Sequence, residues 1–230
     1  MHLFLLAGHE TSANTTAIAF SLLAFHPAIQ ATLQQELDDI FLGRDPESAS
    51  WSFEKDYPRL VNGYVGALLN ETLRLYPTLP LISKCTGDIP QEIVTEARTF
   101  VVPADTLVVI NIAATHRNPR YWPGDADAFD PTRWLGKNRA SPDAFLPFSD
   151  GYRACLGKRF AQIEFCAVVA RVFSQYSVVL ADDACKGGDA GALGALDSHV
   201  SFGMTLRLRK DFPLRFVRRS GLPLQSKVEV

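Results

Sequence analysis

The spacing of apolar residues along this chain predicts mostly helices. Apolar side chains recur three and four residues apart, the spacing that places them on one face of a helix. Pro27 is expected to open one of these helices, with Ile29, Leu33 and Leu37 on its buried face. The predicted helices run from Met1 to about Phe25, from Ala28 to about Ile40, from Val61 to Tyr76 and from Gly157 to Gln175, with shorter helical segments at 57–60 and 112–117.

Shorter runs of β-branched and aromatic residues predict a few strands. Residues 101–110 indicate two short strands around a turn, and Tyr176 to Leu180 indicates another. Met204 to Arg209 and Leu214 to Val217 are expected to form a hairpin through Asp211-Phe212-Pro213. The remaining stretches are expected to be a polar loop at 43–53, a long ordered meander at 120–146 and a flexible surface loop at 182–197. The fold class is therefore mainly α with small β-sheets at its edge.

Composition sets the class of protein. The chain has 230 residues, 47% of them hydrophobic, and a formal net charge of -2, which is ordinary for one globular domain and gives no sign of nucleic-acid binding. Its four cysteines have no regular spacing, so they predict neither a disulfide framework nor a zinc site. The apolar start, Met1 to Leu6, is too short for a membrane span and lacks the basic residues of a secretory signal.

The run around Cys155 is the strongest candidate for chemistry. Residues 148–157 read F-x-x-G-x-R-x-C-x-G and lead directly into a predicted helix. The N-terminus of a helix stabilises a thiolate. Gly151 and Gly157 allow a tight turn and close approach to a flat ligand, and Arg153 offers a fork of donors for a carboxylate. Phe148 is expected to pack near the sulfur. A thiolate held in this way is one of the ligands that proteins give to haem iron.

A lone cysteine is more often a buried, inert thiol than a ligand. That alternative predicts neither an arginine two residues earlier nor flanking glycines, so the pattern around Cys155 favours a ligand. Cys85, Cys166 and Cys185 lack such surroundings and are interpreted as structural, with Cys166 as a small hydrophobe inside the helix that follows the loop.

Residues 7–12 form a second motif, Ala-Gly-His-Glu-Thr-Ser, within the first predicted helix. Gly8 weakens the helix and opens space beside it, and Glu10 and Thr11 place an acid and a hydroxyl at that gap. Such a pair can relay protons to bound oxygen. The alternative is a solvated Glu10 and a Thr11 hydroxyl bonded to its own backbone. No second histidine follows His9 at the spacing of a zinc helix motif.

Glu71 and Arg74 are three residues apart, so they share a helix face and can pair. On an exposed helix such a pair contributes little to stability. The neighbours Leu68, Leu69 and Leu75 predict that this pair is buried instead.

These motifs resemble those of the cytochrome P450 family, and they occur in the family's order. Residues 148–157 are similar to its cysteine-ligand loop, and residues 7–12 to the oxygen-activation motif of its long central helix. Glu71 and Arg74 resemble its E-x-x-R helix, and Arg133 matches the meander arginine that the family adds to this pair. The resemblance implies the C-terminal portion of the cytochrome P450 fold, in which these three charged residues are structural.

The resemblance also implies a cofactor and the residues that serve it. The cofactor would be haem b, iron protoporphyrin IX, with Cys155 as the metal ligand. Thr11 and Glu10 would be catalytic, the threonine bonding bound oxygen and the acid belonging to the proton path. His116 matches a position that lies near a haem propionate in many members, although a capping histidine on a surface turn is an equal alternative. The other predicted cofactor-binding residues are Ala7, Phe148, Gly151, Arg153 and Gly157.

Two departures from the family pattern stand out. Many members carry an arginine for a propionate between the E-x-x-R helix and the first strand, where this chain has Ser83-Lys84-Cys85. Lysine lacks the fork of arginine and is not equivalent to it. Family members are also much longer, so residues 1–230 are interpreted as a single partial domain, the C-terminal haem-binding half.

The implied activity is monooxygenation, in which one atom of O2 enters a hydrophobic small molecule and NADPH-cytochrome P450 reductase or a similar partner supplies electrons. Lys158 and Arg159, just after the ligand, are candidates for contact with an acidic redox partner. The motifs look most like eukaryotic microsomal members, whose N-terminal anchor holds them at the cytosolic face of the endoplasmic reticulum membrane. Membrane contact is therefore expected only through an anchor outside this sequence. No nucleic-acid partner is expected.

Two alternatives remain open at this point. One is a haem-thiolate isomerase or dehydratase, against which the Glu10–Thr11 pair argues because such chemistry needs no proton relay. The other is a truncated, non-catalytic chain that carries the motifs but cannot hold haem.

Overall fold

The computed structural model describes residues 2–41, 51–136, 142–181, 196–197, 199–203, 205–208 and 212–220, with side chains from Ala7 onward. It is mainly helical with small antiparallel sheets, as the sequence predicts. Helices α1 to α6 span His2–Phe25, Pro27–Phe41, Phe53–Asn62, Tyr64–Leu75, Ile112–Thr115 and Lys158–Phe173. Short 3-10 turns lie at Pro131–Trp134, Pro142–Ala144 and Gly151–Arg153.

Local sequence signals set several of the helix ends. Pro27 begins α2, because its missing N–H costs nothing in the first turn. The Ser52 hydroxyl accepts from Lys55 N and caps α3. The start of α4 is capped from another helix, since Tyr64 N donates to both carboxylate oxygens of Glu36 on α2 at 2.7 and 2.9 Å. Burial raises the pKa of Glu36, although the backbone donors of α4 oppose the shift.

Among the described residues, eight strands pair into two-stranded antiparallel sheets. Strands β1 to β8 span Leu81–Cys85, Gln91–Val94, Thr99–Val102, Leu107–Asn111, Tyr176–Leu180, Val200–Phe202, Leu206–Leu208 and Leu214–Arg218. The pairs are β1 with β4, β2 with β3, β5 with β8 and β6 with β7.

The predicted hairpin between Met204–Arg209 and Leu214–Val217 is wrong. Strand β7 pairs with β6, the strand that precedes it in the sequence. Strand β8 pairs with β5, so that Tyr176 lies opposite Arg218. The two strands expected at 101–110 do form, as β3 and β4, but each pairs with a strand that the sequence analysis missed. Strand pairing depends on contacts between distant segments, which local patterns do not report.

The hydrophobic core lies where the second half of α1 packs against α2, α4 and α6. Ile18, Leu22, Leu33, Leu68 and Phe173 are fully buried in it. The first half of α1 is different, because residues 7–9 are exposed. One helix therefore supplies both a core element and an open face. A second, smaller cluster surrounds Trp122 and Trp134 in the meander.

Three smaller predictions are corrected. The expected turn at 57–60 is part of the longer helix α3, which Ser52 caps. Cys85, interpreted as structural, is exposed on β1 rather than packed in a core. Most of the predicted surface loop 182–197 lies outside the described residues, as does Cys185, but Leu196 is fully buried and Asp197 accepts a bond from the Tyr76 hydroxyl at 2.8 Å.

Among the described residues, no single helix is both long enough and apolar enough to cross a membrane. Ala7–Phe25 and Pro27–Phe41 together have the length and apolar composition of a membrane span, but the two helices are bent by 112° relative to each other.

Candidate functional site

The cysteine loop is closed by hydrogen bonds of its own backbone. Cys155 N donates to Phe148 O at 2.8 Å, and Ala154 N donates to Gly151 O at 3.0 Å. Ser149 and Gly151 have φ of 59° and 74°, in the left-handed region that favours glycine. The prediction that Gly151 permits a tight turn is therefore confirmed, and the loop fixes the backbone on both sides of Cys155.

The Cys155 thiol is exposed at the start of a long helix. Helix α6 begins at Lys158, and a Cβ on Gly157 would lie 3.8 Å from the Cys155 sulfur. A side chain at residue 157 would therefore contact the sulfur, and the glycine leaves that side of the thiol open. Cys166 is the opposite case, because burial raises the pKa of its thiol to about 12.

Aromatic and aliphatic side chains close to Cys155 in the sequence are exposed to solvent. Tyr152, Leu156 and Phe160 are 99%, 84% and 70% exposed. Arg153 is also exposed, as a residue meant for a ligand carboxylate should be. Phe148 packs against the hydrophobic core, and the Lys158 ammonium lies 5.8 Å from its ring centroid. An accessible thiol amid exposed apolar surface fits a flat, largely apolar group such as haem.

The α1 motif has the open space expected beside Gly8. A Cβ on Gly8 would meet nothing within 4 Å, and Ala7 is exposed next to it. The Thr11 hydroxyl donates to Ala7 O at 2.7 Å, a bond within its own helix. Glu10 instead accepts from Thr205 Oγ1 at 2.8 Å. The Thr11 hydroxyl therefore has the backbone partner that the alternative predicted, whereas the Glu10 carboxylate has a side-chain partner on a distant segment.

The predicted buried charge cluster on α4 is confirmed. Arg74 donates to Glu71 through two bonds of 2.8 Å, and both side chains have no exposed surface. Arg133 Nε lies 3.6 Å from Glu71 Oε1. Two further donors were missed by the sequence analysis, Trp134 Nε1 and Asp130 N, each at 2.9 Å. This carboxylate is therefore surrounded by donors.

Both arginines of the cluster also hold the meander by its carbonyl groups. Arg74 donates to the carbonyl oxygens of His116, Ala126 and Ala128 at 3.0, 2.5 and 2.9 Å. Arg133 donates to Pro123 O at 2.6 Å and to Asp125 O. These bonds explain how a stretch that forms only short 3-10 turns is nevertheless ordered.

His116 does not have the setting expected of a propionate contact. Its side chain is fully buried, Nδ1 lies 3.2 Å from Arg74 O, and Nε2 accepts from Leu146 N at 2.9 Å. Both ring nitrogens are therefore engaged inside the protein. The alternative of a capping histidine on a surface turn is right about the cap, since His116 is the C-cap of α5. It is wrong about the surface, because the residue is buried and its ring connects α4 to the segment that enters the cysteine loop.

Lowering the pH is expected to destabilise the protein through His116. Burial lowers the pKa of this histidine from 6.5 to about 4, because the charged imidazolium would lose its hydration, and the nearby Arg74 charge acts in the same direction. A histidine whose pKa is lower in the folded protein than in the unfolded chain stabilises the fold fully above pH 6.5. This stabilisation is lost as the pH falls to about 4. The loss is roughly 3 kcal/mol. Urea unfolding between pH 7.5 and 4 measures it. A His116→Gln variant, which does not titrate, should show a flatter profile, and parallel profiles would contradict this assignment.

Lys84 belongs to Ser83-Lys84-Cys85, the segment where the resemblance implies a propionate arginine. Its Nζ lies 3.4 Å from Ser149 Oγ in the cysteine loop. The lysine ammonium therefore lies beside the loop, although without the fork of an arginine.

Comparisons with known proteins identify the family that this chain resembles. The family model described as Cytochrome P450 matches residues 1–187. Cytochrome P450 3A13 of Mus musculus is 34% identical over 76% of this chain and 33% of its own length. Cytochrome P450 monooxygenase prx9 of Penicillium rubens is 30% identical over all of this chain and 41% of its own. Cyclooctat-9-en-7-ol 5-monooxygenase of Streptomyces melanosporofaciens is 37% identical over 75% of this chain and 35% of its own.

A solved structure shows the same fold. The crystal structure of a cytochrome P450, CYP102L1, matches with a TM-score of 0.75 and 29% identity, over 94% of this chain and 44% of that one. This chain thus spans between a third and a half of the length of the relatives it matches. They come from a mammal, a fungus and a bacterium, so they do not single out the microsomal type. The matched family model, the fold and the cysteine loop together show that this chain belongs to the cytochrome P450 family.

Proposed function

We propose that this chain binds haem b through Cys155 and contributes the haem-binding, C-terminal part of a monooxygenase that acts on hydrophobic organic molecules. Residues 1–230 would then be one partial domain. The observation that carries the proposal is the exposed Cys155 thiol, held by a closed backbone loop at the start of α6. The curated relatives include proteins named as monooxygenases, which supports the reaction class.

Several residues of this chain fit a bound haem. Cys155 would ligate the iron, while Gly151 and Gly157 leave room for the ring and Phe148 supports the loop from the core. Arg153 would bind a propionate. Lys84, beside Ser149, is placed to supply a further positive charge. When bound, thiolate-ligated haem supplies the chemistry that cleaves O2 and transfers one oxygen atom.

The α1 motif would deliver the protons that this reaction consumes. Monooxygenation converts a C–H bond, O2, NADPH and one proton into an alcohol, water and NADP⁺, so protons must reach the oxygen that leaves as water. Glu10 is partly exposed and can take protons from solvent, and Thr11 lies next to it at the gap opened by Gly8. The acid would accept a proton and the hydroxyl would pass it on.

Substrate and partner surfaces follow from exposed side chains. Leu79, Leu81 and Phe202 are apolar and exposed, which suits a hydrophobic substrate. Lys158 and Arg159 are exposed just after the thiolate loop and would meet an acidic redox partner such as NADPH-cytochrome P450 reductase. A parent chain of the microsomal type would lie at the cytosolic face of the endoplasmic reticulum membrane.

A second candidate is a chain that carries these motifs without holding haem. The observation in its favour is the exposure of the ligand loop, with Tyr152 almost completely open to solvent.

A haem titration tests the proposal. The purified chain is mixed with haem, reduced and exposed to carbon monoxide. A stoichiometric complex with the red-shifted Soret band of thiolate ligation is expected, because the loop that holds Cys155 is closed by its own backbone bonds. With reductase, NADPH and ¹⁸O2, a hydrophobic substrate should then gain one labelled oxygen atom. Failure to bind haem would favour the second candidate, and haem binding without label incorporation would contradict the monooxygenase assignment.

A further inference from the structure

The Glu10 carboxylate is held by a strand far away in the sequence. Its Oε1 accepts the Thr205 hydroxyl at 2.8 Å and lies 3.5 Å from Arg207 Nη2. Thr205 is only 5% exposed, whereas the side chains of Glu10 and Arg207 are 33% and 52% exposed. A buried hydroxyl needs a partner, and Glu10 supplies it.

The strand that holds Glu10 is itself fixed by other bonds. Leu206 N donates to Thr78 O, just after α4, at 2.8 Å, and Gly203 N donates to Thr205 O at 3.1 Å. A Cβ on Gly203 would lie 3.4 Å from Arg207 Nη2, so the glycine leaves room for the guanidinium. Thr205 and Arg207 therefore present preformed donors to α1.

We propose that Thr205 and Arg207 are positioning residues that hold the Glu10 carboxylate in one orientation for proton delivery. This inference rests on the proposed function, in which Glu10 feeds protons to the site. Both contacts fall on Oε1, which leaves Oε2 to take a proton from water and pass it towards the gap at Thr11. The carboxylate is regenerated when the proton moves on, so its two donors serve every cycle.

The arginine alone would not carry this argument, because an exposed ion pair contributes little. The buried threonine makes the difference. Its hydroxyl sets the distance and direction of Oε1, and the guanidinium adds a second donor group near the same oxygen. A single short bond to a buried donor restricts the rotamer of Glu10 more than a mobile surface arginine does.

The test begins with the haem-free chain. Urea unfolding of Thr205→Val, Glu10→Gln and the double variant forms a double-mutant cycle, and the coupling should change the unfolding equilibrium constant by at least about threefold. Thr205→Ser, which keeps the hydroxyl, should retain the coupling. Arg120→Gln is the control for the loss of an ordinary surface ion pair, because Arg120 lies 3.7 Å from Glu96 in a pair that is far more exposed than the Glu10 contacts. Additive effects in the Thr205 cycle would overturn the contact.

The second measurement uses the haem-loaded chain with reductase and NADPH. Thr205→Val and Arg207→Gln should raise the fraction of electrons lost as hydrogen peroxide severalfold and change the solvent isotope effect, with ferric and carbon monoxide spectra unaltered. Thr205→Ser should restore the wild-type values. Unchanged peroxide release would overturn the positioning role while leaving the proposed function intact. If the wild-type chain binds no haem, the proposed function is contradicted. The positioning role is then contradicted too, even if the double-mutant cycle shows coupling between Thr205 and Glu10.

Discussion

Replacing Cys155 by serine is expected to abolish the red-shifted Soret band of the reduced, carbon monoxide-bound protein. The band depends on a thiolate on iron, and a hydroxyl is neither as acidic nor as soft a ligand. The exposed Cys155 side chain fills no core space, so the fold should survive the change. Haem affinity and the difference spectrum measure the loss, while circular dichroism and urea unfolding verify that the variant is folded.

The other two described cysteines provide matched controls. Cys85→Ser changes an exposed thiol on β1, and Cys166→Ser changes a buried thiol within α6. Neither should alter the band, although the buried hydroxyl at 166 should lower stability. A thiolate-type band that persists in Cys155→Ser, or disappears in Cys85→Ser, would show that the ligand has been assigned to the wrong residue.

The cysteine loop was predictable from the sequence because every feature that shapes it is local. The bond from Cys155 N to Phe148 O, the positive φ of Gly151 and the start of α6 all lie within residues 148–158. The same is true of Glu71 and Arg74, which share a helix face. Short-range patterns report such arrangements because spacing fixes them.

The partners of Glu10 and the true setting of His116 could not be predicted in this way. Thr205 is 195 residues from Glu10, and the meander bond that Leu146 makes to His116 spans 30. Nothing in the local pattern around either residue distinguishes a solvated side chain from one that is held across the fold. Only the pairing of β7 with its neighbours, which the sequence analysis assigned wrongly, brings Thr205 to α1.

His116 connects two sites that the sequence analysis treated separately. Arg74 donates to its carbonyl group, its ring accepts from Leu146 N, and Ser149 N in turn donates to Leu146 O. Cys155 N completes the series through Phe148 O. The charge cluster on α4 is therefore joined to the cysteine loop by successive hydrogen bonds, so its structural role extends to the backbone around Cys155.

Glu71→Ala is accordingly expected to cause a large loss of stability. Removing the carboxylate leaves Arg74 fully buried without its counter-charge and removes the acceptor of Trp134 Nε1. Breaking a buried pair in this way costs about 3–5 kcal/mol. Urea unfolding at pH 7.5 measures the loss, and pH 7.5 keeps His116 neutral in the folded and unfolded states.

Two further variants separate charge from packing. Glu71→Gln keeps the volume and an amide oxygen that can accept from Trp134, so it should be destabilised less than Glu71→Ala. Glu96→Gln removes an exposed carboxylate that lies 3.7 Å from Arg120 and should change stability by less than about 1 kcal/mol. If Glu71→Ala cost no more than Glu96→Gln, the cluster would not be what orders the meander. If it cost the expected amount, haem affinity should fall with stability, because the bonds from Arg74 through His116 would no longer hold the loop around Cys155.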